Sequence, residues 1–343
     1  MDVSVVIPTR DRPESLNRCL LSLAAQRHPL KEIIIVDASE QPLDQKQLAD
    51  RHATLNLIVM RSKPSVCLQR NVGIRTATAS HILLSDDDIE FPVNYVSELA
   101  AFQQDHAECG AVSGVLLESL KGELQETTAQ RTTFSELSWR FLFQLTVWSD
   151  LESLRATGIA QVILQGLQKY YRNRSNSFTL AGWPLVTQAS GDRFRTAIFG
   201  LGAALVTREW LLASPYDEIL DPHGIGDNYG VAVHFPGHFP ITVLRSVKAT
   251  HHRSRGNRLS ATEAYYRRIL ALDYFMTGSP KFTWINRIFL LWSLGGNLFS
   301  QVVHFNFYRA CATCKAGLLI CIRRNPYSVA AESGLAGPTI PNL

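Results

Sequence analysis

The first 85 residues confine this chain to a narrow set of folds, because short apolar runs alternate there with stretches of helical periodicity. The runs are Val3 to Ile7, Glu32 to Val36, Leu55 to Met60 and His81 to Ser85. Between them lie amphipathic segments from Pro13 to about Gln26, around Leu43 to Arg51, and from Ser65 to Ala77. Apolar runs bounded by turns read as strands, and recurrence every three to four residues reads as helix. Strands and helices in strict alternation predict a parallel α/β sheet, and ligands of such sheets collect beyond the carboxyl ends of the strands. Pro8-Thr9-Arg10-Asp11, Asp37-Ala38-Ser39 and Asp86-Asp87-Asp88 all fall at such ends, so three polar clusters are expected to converge on one crevice.

The aspartate triplet is the most pointed of the three. Adjacent carboxylates repel one another and lose solvation when buried, and these follow a run that reads as a buried strand. A divalent cation answers them economically, and hard oxygen donors at this density suit Mg²⁺ or Mn²⁺. Asp86 and Asp88 flank Asp87, so alternate side chains can point to one side while the middle one turns away. A solvated acidic turn that caps the next helix reads the same residues differently, since Asp is a good N-cap.

With 343 residues, 46% of them hydrophobic, the chain can bury a large core and is long for one compact domain. A formal net charge of only +4 gives no nucleic-acid signal over the whole molecule. The charge is unevenly placed, however. From Tyr274 to Ala331 there is no Asp or Glu, while Lys281, Arg287, Arg309, Lys315, Arg323 and Arg324 are all present. The apolar runs in that region, Ile288 to Leu294 and Gly317 to Ile322, are short for a spanning helix, which needs about 20 apolar residues. The expectation is a helical region lying in the plane of an anionic membrane surface. No leader pattern is read at the N-terminus, and six cysteines without a framework are expected to be reduced thiols, which together predict a cytoplasmic protein at the inner membrane face.

Residues from about Leu116 to Ser190 read as long helical periodicity with several aromatics, including Trp139, Phe141, Phe143, Trp148, Tyr170 and Tyr171, and carry no motif. The α/β pattern resumes with FGLGAALVT at 199 to 207. A Gly-rich loop follows at 221 to 231, then a strand near Ile241, the cluster ATHHRSRGNR at 249 to 258, and a helix from Thr262 to Met276.

Taken in order, VSVVIPTRDRPESLNRCLLSL, IIIVDAS, QRNVGI, SDDDI, FGLGAALVTREWL and the later Gly-Asp loop resemble a family 2 glycosyltransferase of the GT-A fold, over residues 3 to about 260. The resemblance implies a mostly parallel central sheet flanked by helices, a nucleotide-sugar donor and a Mg²⁺ or Mn²⁺ cofactor. By that resemblance Pro8, Thr9 and Arg10 lie in the nucleotide loop, Asp37 accepts a hydrogen bond from the base, and Arg70 and Asn71 hold the ribose or diphosphate. Asp86 and Asp88 ligate the metal, Asp87 bonds sugar or ribose hydroxyls, and His251 or His252 completes the metal site. Asp227 is the implied general base, with Asp221 in reserve, and Arg253, Arg255 and Arg258 could grip phosphates. Two departures stand out: Ala38 follows Asp37 where the family often has a second acid, and Gly226-Asp227 replaces the usual Glu-Asp pair.

The implied organisation is a GT-A domain over 1–260 with a helical insertion at about 118–190, a basic apolar helical region over 261–332, and a loose tail over 333–343. The implied activity is inverting sugar transfer to a glycan or lipid-linked acceptor in surface polysaccharide synthesis. A nucleotidyltransferase that makes nucleotide sugars is the alternative enzyme, but PTRDRPES lacks the Gly-rich phosphate loop expected after its first strand. A non-catalytic binding protein of the same fold is the other alternative.

Overall fold

The computed structural model describes residues 1–120, 123–126, 132–220, 222–252, 259–334, 337–338 and 340. In chain order the first elements are β1 (Val3–Thr9), α1 (Pro13–Ala24), β2 (Glu32–Asp37), α2 (Gln45–Arg51), β3 (Leu57–Arg61), α3 (Val66–Thr76), β4 (His81–Ser85), β5 (Ile89–Glu90) and α4 (Tyr95–Asp105). Next come β6 (Ala111–Leu120), β7 (Glu123–Glu126), α5 (Phe134–Leu142), β8 (Val147–Trp148), α6 (Ile159–Arg174), β9 (Leu185–Val186), β10 (Arg193–Thr196), β11 (Ala203–Thr207) and α7 (Arg208–Ala213). The last are α8 (Asp227–His234), β12 (Ile241–His251), α9 (Ala261–Gly278), α10 (Trp284–Val303), α11 (Phe307–Cys321) and α12 (Pro326–Glu332).

The main sheet runs β10-β12-β6-β11-β4-β1-β2-β3. Residues of β1 and β2 are buried at every position, which explains why their runs are largely apolar without strict alternation. Alternation still sorts them between two cores. Val3, Val5, Ile7, Ile33 and Ile35 pack on the side of Leu16, Cys19, Leu20 and Leu23 from α1. Val6, Ile34 and Val36 pack on the side of α3 and α9. In α1, Pro13 occupies the first turn, where a missing N–H costs nothing.

The expected mostly parallel sheet is present: β12 pairs β6 in parallel, and β6 shares the direction of β4 because both run antiparallel to β11. β2 and β4 flank β1 in parallel and β3 extends β2, but β11 runs antiparallel to both β4 and β6. Between β1 and β2 the chain turns one way and between β1 and β4 the other, a switch point that opens a crevice at the carboxyl ends of β1 and β4.

The segment from Leu116 to Ser190 is not helical throughout. Leu116 to Leu120 finish β6, where the chain is held as strand by pairing with β12 and β7. Only α5 and α6, with the two-residue ribbon β8–β9, make up the insertion, around a small core of Leu137, Val147, Leu151, Leu164, Leu167, Tyr171 and Leu185. The Gly-rich loop is likewise shorter than expected, because α8 begins at Asp227 behind Gly226 at φ 100°.

At the other end, α10 and α11 form a hairpin on α9. α10 buries Leu290, Ser293, Leu294 and Gly296, while Trp284, Ile288, Trp292 and Phe299 stand exposed along its outer face. The turn after it adds Phe305 and the start of α11 adds Tyr308, 80% and 85% exposed. Among the described residues no helix is long and apolar enough to cross a membrane.

Candidate active site

A crevice of about 830 Å³ opens at the switch point and is lined by Pro8, Thr9, Arg10 and Arg12 after β1, the aspartate triplet after β4, and the Pro222–Tyr229 segment around the start of α8. The three carboxylates do not stack their charges. Each diverges to a different partner. Asp86 accepts a 2.6 Å bond from Arg70 Nη2. Asp87, 3% exposed, accepts from Thr9 Oγ1 at 2.8 Å and Arg12 Nη1 at 3.2 Å. Asp88, equally buried, lies 3.1 Å from His251 Nε2 and 3.9 Å from Arg12 Nη1. Burial pushes the Asp87 carboxyl up to about 6, against the pull of Arg12 and Thr9.

Asp86 is placed by a close approach. Its N–H donates to Gly202 O at 3.0 Å, and a Cβ on Gly202 would come within 2.5 Å of Asp86 Oδ2. The small-residue run FGLGAALVT thus does more than build a strand, since only glycine leaves room for that carboxylate.

Arg70 ties the two halves of the site together. Its guanidinium, 6% exposed and lying over the Tyr216 ring, bridges Asp86 Oδ1 and Asp227 Oδ2. The other Asp227 oxygen accepts the Asn228 N–H at 2.6 Å. Burial raises the Asp227 carboxyl above the ordinary carboxylate range while Arg70 draws it back, and burial prevails. A carboxylate made more basic in this way suits proton abstraction.

Asp88 and His251 pair an oxygen donor with an imidazole nitrogen. Among the described residues no group of three or more His, Cys, Asp or Glu side chains is disposed to hold a metal ion alone. Mg²⁺ and Mn²⁺ at phosphate sites commonly take one or two protein ligands and complete their shell with phosphate oxygens and water, so this pair fits such an ion.

Three expected residues lie apart from the crevice lining. Asp37 is fully buried with its carboxylate spent on the N–H groups of Ser39 and Leu43 and on Arg61, at 2.8, 3.0 and 2.6 Å, and these bonds hold it below its usual range against the cost of burial. It caps a strand end. Asn71 bonds the backbone of Tyr216 in both directions and Glu218 Oε1, so it fastens the segment leading to α8. His252 turns to Glu90 at 2.7 Å, although its N–H donates to Asp88 O. Asp221, Arg253, Arg255 and Arg258 lie outside the described residues.

The structure also brings in residues that sequence reasoning passed over. Arg12 shields Asp87 and Asp88, Glu118 stands 4.0 Å from His251 Nδ1, and Trp148 and Trp183 line one end of the crevice. Arg12 sits in the quoted opening motif. The others carry no local signal.

The Glycosyl transferase family 2 model matches residues 4–157. The match spans a little under half of the chain, from the start of β1 into the insertion. An NDP-glycosyltransferase, ltbB of Aspergillus luteorubrus, is 26% identical to this chain over 148 residues, 40% of the chain and 36% of that protein. The chain therefore matches well under half the length of that curated relative. Two solved structures share the fold of nearly the whole chain, well past the matched segment. The crystal structure of S. aureus TarS 1-349 covers 97% of this chain and 92% of its own, at 13% identity and a TM-score of 0.54. The same TarS fragment in complex with UDP-GlcNAc covers 98% and 93%, at 14% identity and a TM-score of 0.53.

Proposed function

We propose that this protein transfers a sugar from a nucleoside-diphosphate sugar to an acceptor hydroxyl with inversion. The observation that carries the reading is Arg70, which joins the aspartate triplet to Asp227 inside one crevice. The NDP-glycosyltransferase relative and the UDP-GlcNAc complex of TarS support the donor class. The acceptor oxygen attacks the anomeric carbon, the bond from that carbon to the diphosphate oxygen breaks, and the hydroxyl proton passes to Asp227. Each carboxylate oxygen has two lone pairs, so Asp227 can accept the acceptor hydroxyl while Arg70 and the Asn228 N–H hold its orientation. Thr9 and Arg12 fix Asp87 at the donor end. A divalent cation held by Asp88 and His251 would stabilise the negative charge on the departing diphosphate.

The acceptor in this reading is a glycan or lipid-linked sugar, and the protein works at an anionic membrane surface on the cytoplasmic face. The exposed aromatic ridge of α10 and the absence of acids from Tyr274 to Ala331 support that placement. Nucleotide-sugar hydrolysis measured over a donor panel, with Mn²⁺ and with chelator, tests the activity. Release of nucleoside diphosphate from one donor in Mn²⁺, lost in Asp88→Ala, is expected. Full activity of Asp88→Ala in chelator would remove the metal from the reading, and no turnover of any donor would remove the transferase.

A further inference from the structure

The crevice has two unlike ends. After β1 and β3 its lining is the polar and proline-bearing Pro8–Arg12 and Pro64–Val66, on one side of β4 in the sheet. On the other side of β4, the segment that enters β11 brings Ile198, Gly200 and Gly202. Against that segment the insertion sets two indoles. In the β8–β9 ribbon Val147 points into the insertion's own core, so its neighbour Trp148 points the other way, as alternation along a strand requires. One face of Trp148 stacks on Phe199 at 6.1 Å and 15°, and its remaining surface lines the crevice. Trp183 is held by a 2.9 Å bond from its Nε1 to Ser293 Oγ on α10, so its polar edge is satisfied and its ring cannot swing. Neither indole contacts the carboxylate–arginine machinery through any hydrogen bond or ring contact found among the described residues.

Inversion demands that the acceptor approach the anomeric carbon from the side opposite the leaving diphosphate. With the donor at the β1–β3 end and Asp227 beside the triplet, that side is the indole end. Aromatic faces fixed by a stack on Phe199 and by the Trp183–Ser293 bond offer an acceptor mainly apolar contact and the negative face of the ring quadrupole, which complements the C–H face of a pyranose and not a flexible polyol or a phosphate. We infer that Trp148, backed by Phe199 and flanked by Trp183, is the acceptor subsite, and that the acceptor presents a pyranose ring there. This rests on the transferase reading above and assigns the acceptor class to its site.

Trp148→Ala and Trp148→Phe, each checked for an unchanged melting transition, test it against wild type with two readouts. The first compares donor hydrolysis without acceptor to transfer onto methyl pyranosides and onto ribitol. Trp148→Ala should keep donor hydrolysis within about twofold and lose about tenfold in kcat/KM for pyranosides, and Trp148→Phe should recover most of that loss. The second needs no turnover: saturation transfer from the protein to a methyl pyranoside, present in wild type and Trp148→Phe and absent in Trp148→Ala. Equal loss of donor hydrolysis and transfer, or ribitol accepted as well as pyranosides, would overturn the assignment. Pyranoside binding that depends on Trp148 in a protein that turns over no donor would uphold the sugar subsite while the transferase reading failed. No binding and no transfer would overturn both.

Discussion

Replacing Arg70 with Met removes the one cation shared by Asp86 and Asp227 and leaves a side chain of similar reach. Breaking a buried ion pair by deleting one partner costs roughly 3–5 kcal/mol, because the surviving charge stays desolvated. Asp227 is the more buried of the two carboxylates, with 14% of its side chain exposed, whereas Asp86 is 36% exposed and regains water. The expected loss is therefore at the lower end, about 3 kcal/mol near neutral pH. The pH dependence gives the argument its sign. Asp227 already titrates above its unfolded value of 3.8, and losing the guanidinium raises it further. The folded variant then holds a proton that the unfolded chain has released. Its deficit is full above the folded value and shrinks as pH falls toward about 4. Urea denaturation of wild type and Arg70→Met at pH 7.5 and pH 5 measures this. Adding Asp227→Asn to Arg70→Met should restore most of the loss, a coupling that independent sites do not show. A deficit below about 1 kcal/mol, or one that widens in acid, would refute the idea that Arg70 neutralises a buried acid.

Asp227→Asn keeps the side-chain shape but removes the base, so turnover should fall at least about a hundredfold with donor affinity nearly constant by titration calorimetry; retained turnover would mean the base lies elsewhere. Gly202→Ala places a methyl 2.5 Å from Asp86 Oδ2 and must displace that carboxylate from Arg70, so transfer should drop about tenfold or more while the melting transition shifts little; an unchanged rate would show that Asp86 has room to spare. Flotation with vesicles reads the α10 ridge: binding to anionic but not neutral liposomes, weakened by salt and by Trp284→Ser with Trp292→Ser, is expected, and protein left unbound on anionic vesicles at low salt would point to a protein partner for that face.

What was legible in the sequence follows from how local each signal is. β1 through β4 were readable because each run is mostly apolar and sits between turns, and His81 to Ser85 matches β4 residue for residue. β6 misled because its last residues become strand only through long-range pairing with β12 and with β7. The triplet announced charge that needed partners, but Arg70 and His251 become its partners only through folding, across 16 and 163 residues respectively. Asp37 shows the converse error. A strand-end Asp that accepts two backbone N–H groups and an arginine looks the same in sequence as one that awaits a nucleotide base. Trp148 was visible as an aromatic, yet only the two-residue ribbon with β9 decides which way it faces.

The antiparallel insertion of β11 between β4 and β6 also governs how the protein can be divided. The segment matched by the family model ends at residue 157, but β11 begins at Ala203. A fragment cut at that match would carry β4 and β6 with the hydrogen-bonding edges that β11 covers laid bare and Leu83, Leu84 and Val112 turned out to water. Such edges recruit other chains. The half that carries β1 to β4 is therefore no free-standing module to be grafted or expressed by itself, and any shorter version of this protein has to be trimmed from its helical hairpin and not from the middle of its sheet.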